Sequence, residues 1–256
     1  MGNMGRTIKT ELYKISKRKD SWLFLTILFI PMLYAIGLAS NSSVITYSRN
    51  GTITALGFSA AMFQTSQSMF IFNVILVAIT AKSMATEIEN KSLLLYINRI
   101  GNRHTIYLGK EIALFVFAVL IELLLFLVSI MSYYFLLSGN TNISSGKLFD
   151  ANVFSDILQI ASVSLFWLIT IYFTLALSTK MKTIACVGIY MILYIAMNLI
   201  SYAGGIKYLS PLFYLNVFSV NDQIMSLYVI LFLIYLASVG IVANFIGLRK
   251  LSRMDL

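Results

Sequence analysis

Charge is what this sequence has least of. Charged residues make up 11% of it, whereas a soluble domain carries about 25% to keep its surface in water. Hydrophobic residues take 59%, so the chain must use lipid as part of its solvent. Cysteine occurs once, as Cys186 inside an apolar run, which excludes an intrachain disulfide. Histidine also occurs once, as His104 beside Arg103. That excludes a His-based zinc site and disfavours a Ser-His-Asp triad. No Gly-x-x-x-x-Gly-Lys-Ser/Thr stretch exists, so the chain has no phosphate-cradling loop of its own. Gly109-Lys110 lacks both the upstream glycine and the following hydroxyl. Leu137-Ser138-Gly139 superficially resembles an ATPase signature, but it continues Asn-Thr-Asn and reads as a helix stop. Of the two prolines, only Pro31 falls inside an apolar run. An ion-coupled secondary transporter would show several intramembrane acids and Gly/Pro-broken helices. An intramembrane enzyme would show His, Asp or Ser clusters within its spans.

What is present is a series of apolar runs, each long enough to cross a bilayer as a helix. They are Trp22–Ala39, Ala61–Ala81, Ile112–Leu137, Ile157–Leu177, Ile184–Ile200 and Met225–Gly247. The expected fold is all-α: a polytopic membrane protein with six transmembrane helices and no separate soluble domain. The run at 112–137 exceeds what a bilayer needs and should tilt or project. Basic residues set the orientation. Arg49, Lys147 and Lys207 fall in the segments read as external; the other sixteen Lys and Arg fall in those read as cytoplasmic. Both termini are thus expected inside, and the net charge of +9 reflects topology, not nucleic-acid binding. Gly37-Leu38-Ala39 resembles a signal cleavage site, but the basic leader and the apolar run are both longer than a signal peptide uses. An uncleaved first helix is the reading.

Residues 5–21 predict an amphipathic interfacial helix. Ile8, Leu12, Ile15 and Trp22 share one face, with Lys9, Lys14, Lys17 and Arg18 around the other. Lys19 falls on the apolar face and would have to snorkel. The second cytoplasmic segment, 82–111, is long for a connector and mixes charge with helical apolar spacing: Glu87, Glu89, Leu93, Leu94, Leu95, Ile97, Arg99 and Arg103. It reads either as a surface for a partner or as a solvated hairpin.

Within the apolar runs, Glu122 stands out as a deeply placed ionisable side chain, which costs about 3 kcal/mol or more in lipid. Glu111, Ala118, Glu122, Ser129 and Tyr133 share one helical face, which should point into protein. Glu122 is either a hydrogen-bonded structural carboxyl or a proton or substrate site. The outer half of the second run is polar, with Gln64, Thr65, Gln67, Ser68 and Asn73. These residues either glue helices together or line a pathway. Tyr133, Tyr134, Tyr202, Tyr208 and Tyr214 suit an outer aromatic belt.

The segment Glu87-x-Glu89-x-x-Ser92-Leu93-x-x-x-Ile97, followed by Arg103-x-x-Ile106-x-Leu108-Gly109-Lys110, resembles the stretch after the second span of ABC-2 type permeases. Lys91-Ser92 stands where that family usually has Gly-Thr, Ile100 where it has Pro, and Asn102 where it has Ser. The leader Lys9–Lys14, the Ser210–Tyr214 stretch and the tail Arg249–Leu256 resemble the family's connecting helix, external helices and basic end. The resemblance implies a permease subunit of the bacterial plasma membrane, paired with a second permease chain as a homo- or heterodimer. It implies no cofactor of the chain's own: ATP would be bound and hydrolysed by a separate ABC ATPase subunit. It further implies a coupling helix over Glu87–Ile97, with Glu87, Glu89, Leu93, Leu94 and Ile97 at the ATPase interface. Gln64, Gln67, Ser68 and Glu122 are then candidate pathway-lining residues. Small members of the family export antimicrobial or amphipathic peptides, which makes such a cargo the expectation. The alternatives are an ion-coupled secondary transporter and a non-transporting membrane anchor or sensor.

Overall fold

The computed structural model describes residues 2–40, 52–100, 102–140, 143–150, 152–220 and 226–252. Arg49, Met225, Arg253 and the rest of the tail lie outside the described residues. In chain order the helices are α1 (Gly2–Lys17), α2 (Lys19–Phe24), α3 (Phe29–Ala39), α4 (Ala55–Ser68), α5 (Phe70–Glu89), α6 (Ser92–Ile100), α7 (Arg103–Ser132), α8 (Val153–Ser178), α9 (Thr183–Ser201), α10 (Pro211–Val220) and α11 (Ser226–Ser252). Among the described residues there is no strand, only one isolated bridge between Ile53 and Ser144. Six helical segments are long and apolar enough to cross a membrane: Lys19–Ala39, Phe70–Glu89, Arg103–Leu137, Val153–Ser178, Thr183–Ser201 and Leu227–Leu251. The chain is therefore a multi-pass helical membrane protein.

The core gathers around α8, which packs against α4, α5, α7, α9, α10 and α11. Its Trp167 is 1% exposed and lies 5.5 Å from the ring of Phe24, with Phe72 and Phe117 beside it. α9 and α11 sit at the periphery. Most of their exposed side chains, among them Ile184, Ile192, Leu199, Ile234, Ile241 and Phe245, are apolar. In water such a surface would aggregate, whereas against lipid it is the ordinary outer face of a bundle. The face of α7 carrying Glu111, Ala118, Glu122, Ser129 and Tyr133 is buried. Basic residues on the helix ends gather at one end of the bundle: Lys82, Lys110, Lys180, Lys182 and Lys250. Lys147 and Lys207 lie on connections at the other end.

Several elements differ from the sequence reading. The second apolar run is not one helix: the backbone turns extended at Met69 (φ −71°, ψ 94°), separating α4 from α5. The break frees carbonyls that buried polar side chains satisfy. Asn73 Nδ2 donates to Gln67 O at 2.8 Å, and Tyr194 Oη donates to the same oxygen at 3.2 Å. The segment 82–111 is largely the ends of α5 and α7, with α6 between them. The amphipathic helix ends at Lys17, where Arg18 turns extended, and Trp22 beyond the break is 66% exposed and not on its apolar face. Tyr133 and Tyr214 do not join an outer belt, because both are buried. Tyr133 Oη donates to Ile53 O and accepts from Ser144 Oγ and Gly146 N, so it pins two loops at the end of α7.

α5 ends by a left-handed residue. Asn90 N and Lys91 N donate back to Thr86 O and Ile88 O, and Lys91 takes φ 54°. A helix closed this way ordinarily uses glycine there, because a Cβ in this conformation costs roughly 1–2 kcal/mol. Lys91 is the position where the resembled family usually has glycine. Its side chain is exposed, so little contact is lost on truncation. Lys91→Gly should therefore stabilise the chain by about 1 kcal/mol, raising Tm by roughly 2–4 °C in a thermal-unfolding scan. An unchanged or lower Tm would show that the side chain carries a compensating contact.

Candidate functional site

The basic end is built around a ring of alternating charges, buried at Glu11, Glu87 and Lys110 and half-buried at Lys14. Lys110, at 0% exposure, places its Nζ 2.9 Å from Glu11 Oε2 and 2.9 Å from Glu87 Oε2. Lys14 Nζ lies 2.9 Å from Glu11 Oε1 and 2.8 Å from Glu87 Oε1. Each carboxylate thus bridges both ammonium groups, and the ring is neutral overall. Lys110 also donates to Ser83 O at 2.7 Å. Burial by itself would lower the Lys14 pKa. The hydrogen bond to Glu87 and the nearby Glu11 charge outweigh it, so Lys14 is held above the ordinary lysine range. It stays charged at any physiological pH.

This ring exists because α1 comes very close to α7. A Cβ built on Gly109 would lie 2.6 Å from Thr7 Cγ2. Only glycine permits that approach, and the next residue, Lys110, then reaches across to Glu11. Leu108-Gly109-Lys110 is therefore one device: a flat spot for the neighbouring helix followed by the charge that holds it. α11 closes on α7 similarly. A Cβ on Gly247 would overlap the Tyr107 hydroxyl, Asn244 Nδ2 donates to Glu111 Oε1 at 2.7 Å, and Arg103 Nη1 donates to Leu251 O at 3.0 Å. Lys82 pairs with Asp20 at 2.6 Å, fixing α2 to α5.

α6 rests on this ring. Tyr96 lies under Lys14, with Nζ 4.3 Å from the ring centre, and Ser92 Oγ donates to Glu87 O at 3.4 Å. Leu93 is 0% exposed and belongs to the core, while Ile97 is half-buried against it. Leu94 is half-exposed and Leu95 is 74% exposed. The candidate coupling residues thus divide. Glu87 is consumed by the internal ring and Leu93 by the core, so neither is free to meet a partner. Glu89, Leu94 and Ile97 remain accessible in part, and Leu95 is an apolar side chain that α6 presents outward.

The structure does not bring the candidate pathway residues together with this group. Gln67 sits at the Met69 break, roughly 30 Å along the helices from Glu87. It is 2% exposed, and neither of its side-chain polar atoms has a protein partner. Gln64 is half-buried with its Oε1 also unpartnered, whereas Ser68 is exposed and bonds Thr65 O. Glu122, 9% exposed, lies roughly 18 Å along α7 from Lys110 and against Ser164 of α8. It therefore sits at a different height from Gln67.

Glu11 and Lys110 are the residues whose joint role sequence reasoning missed. A signal existed, because Glu11 lies three residues from Ile8 and four from Ile15. It is an acid on the apolar face of the leader helix, which is sensible only if a buried cation meets it. No protein-family model matches the chain, and no curated protein matches it.

Removing one member of a buried ion network leaves an uncompensated charge, which costs about 3–5 kcal/mol. Lys110→Met should lower stability by that amount in a denaturation series on the detergent-solubilised chain. Lys110→Met combined with Glu11→Leu removes a neutral pair and leaves Lys14 with Glu87, so it should recover most of the loss. If the double variant is as unstable as the sum of the single ones, the ring is not the unit described.

Proposed function

We propose that the chain is the membrane-spanning subunit of an ATP-driven exporter of ABC-2 type, energised by a separate ATPase and paired with a second permease chain. The basic end faces the cytoplasm of a bacterial cell, following the bias of Lys and Arg. The observation that carries the reading is α6. It is a short amphipathic helix between two spans, it presents Leu95 to solvent at the basic end, and its other face is fixed to the charged ring through Tyr96 and Ser92 and to the core through Leu93. An exposed leucine on a helix held this firmly is suited to insertion into a cleft of another protein. A push on α6 would pass through the ring to α1, α5 and α7 together, because one set of ion pairs joins all three.

The cargo is an amphipathic peptide or another lipophilic molecule, in keeping with spans that carry little charge. Gln64 and Gln67 at the helix break offer hydrogen-bonding groups without charge. The second reading is an ion-coupled transporter, which the break at Met69 and the enclosed Glu122 favour. Transport driven by a proton gradient in vesicles lacking any ATPase would establish it instead.

Truncating apolar anchors at an interface commonly costs 2 kcal/mol or more, about thirtyfold in affinity. Leu94→Ala with Leu95→Ala should therefore release the ATPase in a pull-down while the permease folds normally. Leu93→Ala, by contrast, should destabilise the permease itself by about 2–5 kcal/mol. Full retention of a coupled ATPase by the double variant, or no ATPase with the native chain, would overturn the reading.

A further inference from the structure

A second feature of the basic end lies away from α6. The end of α5, the turn joining α8 to α9, and the end of α11 enclose a cleft of about 440 Å³. Lys180, Lys182 and Lys250 line it, each from an exposed position, with Glu89 the one carboxylate among the lining residues. Among the described residues none of these three ammonium groups lies in a salt bridge, so the cleft carries unneutralised positive charge.

Lys180 also lines a second hollow. This groove, of about 360 Å³, runs between α8 and α11 and is walled by Phe173, Ala176, Leu177, Val239, Val242 and Ile246. From Ser238 to Ile246 it extends roughly 12 Å along α11. Small residues on both helices, Ala176 and Ala243, hold it open. The groove lies within two candidate spans, and the cleft lies where those spans end. An apolar slot in the bilayer thus opens onto a cationic cleft at the membrane–water boundary.

We propose that this pair of hollows is a binding site for an anionic phospholipid, with the phosphate of its headgroup among Lys180, Lys182 and Lys250 and an acyl chain in the α8–α11 groove. Basic pockets between helix ends on one membrane face hold anionic headgroups in this way. The continuity of the groove with the cleft at Lys180 distinguishes a lipid from a free phosphate, which would use only the lysines. A lipid held here ties α8 and α11 to the end of α5, the helix that leads into α6. The site depends only on the chain spanning a membrane, and it stands or falls separately from any ATPase partner.

The test uses the full chain in mild detergent, titrated with phosphatidylglycerol or phosphatidylcholine and read by native mass spectrometry. Phosphatidylglycerol should bind preferentially. Replacing all three lysines (Lys180→Gln, Lys182→Gln, Lys250→Gln) should weaken it roughly a hundredfold. Val242→Trp, which fills the groove from an exposed position, should weaken it at least tenfold, on the order of 1.4 kcal/mol. Ala237→Trp, on the exposed face of α11 opposite the groove, should leave binding unchanged. Equal binding of the two lipids, or an unaffected triple variant, would overturn the proposal. So would full competition by millimolar inorganic phosphate together with an inert Val242→Trp, which would mark a free-anion site. A triple variant that alters only the monomer–dimer ratio would assign the surface to a second copy of the chain and overturn it equally.

Discussion

The ring of Glu11, Lys14, Glu87 and Lys110 is the constraint on which the basic end depends. Moving any of these charges out of water alone would cost several kcal/mol, and the alternation of sign is what makes the arrangement tolerable. Because each carboxylate meets both ammonium groups, the ring has one low-energy geometry. It fixes α1 against α5 and α7 at a defined height and rotation. α6 then has a rigid seat, and the close approach at Gly109 is the steric condition for all of it.

The arrangement gives the leader helix a role that lipid attachment alone would not. An amphipathic helix on a membrane surface is held by buried apolar area and by anionic headgroups. Here Ile15 is 1% exposed, and Ser21 Oγ donates to Ile15 O at 2.6 Å, closing the turn into α2. α1 is thus packed protein on one side while Lys9 and Lys17 stay exposed on the other. Motion at α6 and motion of α1 are mechanically joined. A lipid held at the α8–α11 groove would bear on the same end of the bundle through the end of α5.

Much of the architecture was legible in the sequence. Run length and low charge suffice to infer membrane-spanning helices, and six helical segments are long and apolar enough to cross, although the second run breaks at Met69. The buried face of α7 followed from the spacing of Glu111, Ala118, Glu122, Ser129 and Tyr133. The break at Met69 was not visible, because neither glycine nor proline marks it. Asn73 and Tyr194, the latter from a distant helix, satisfy the carbonyl that the break exposes. The fates of Glu87 and Leu93 were likewise hidden. Periodicity placed both on a charged, amphipathic stretch, but only the approach of α1 decides that Glu87 turns inward. Lys110 carried a signal in its glycine neighbour, and Glu11 carried one in its position on an apolar face. Neither was decisive without the other.

Buried ion pairs, not surface attraction to lipid, hold α1 in place. Exposed charges are screened at 1 M salt, where the Debye length is about 3 Å, whereas the buried contacts of Lys110 with Glu11 and Glu87 are screened much less. Hydrogen–deuterium exchange of residues 6–17 in nanodiscs, at low salt and at 1 M NaCl, separates the two cases. Slow exchange that persists at high salt is the result predicted here. Exchange that is fast at low salt, or protection that collapses at high salt, would contradict it.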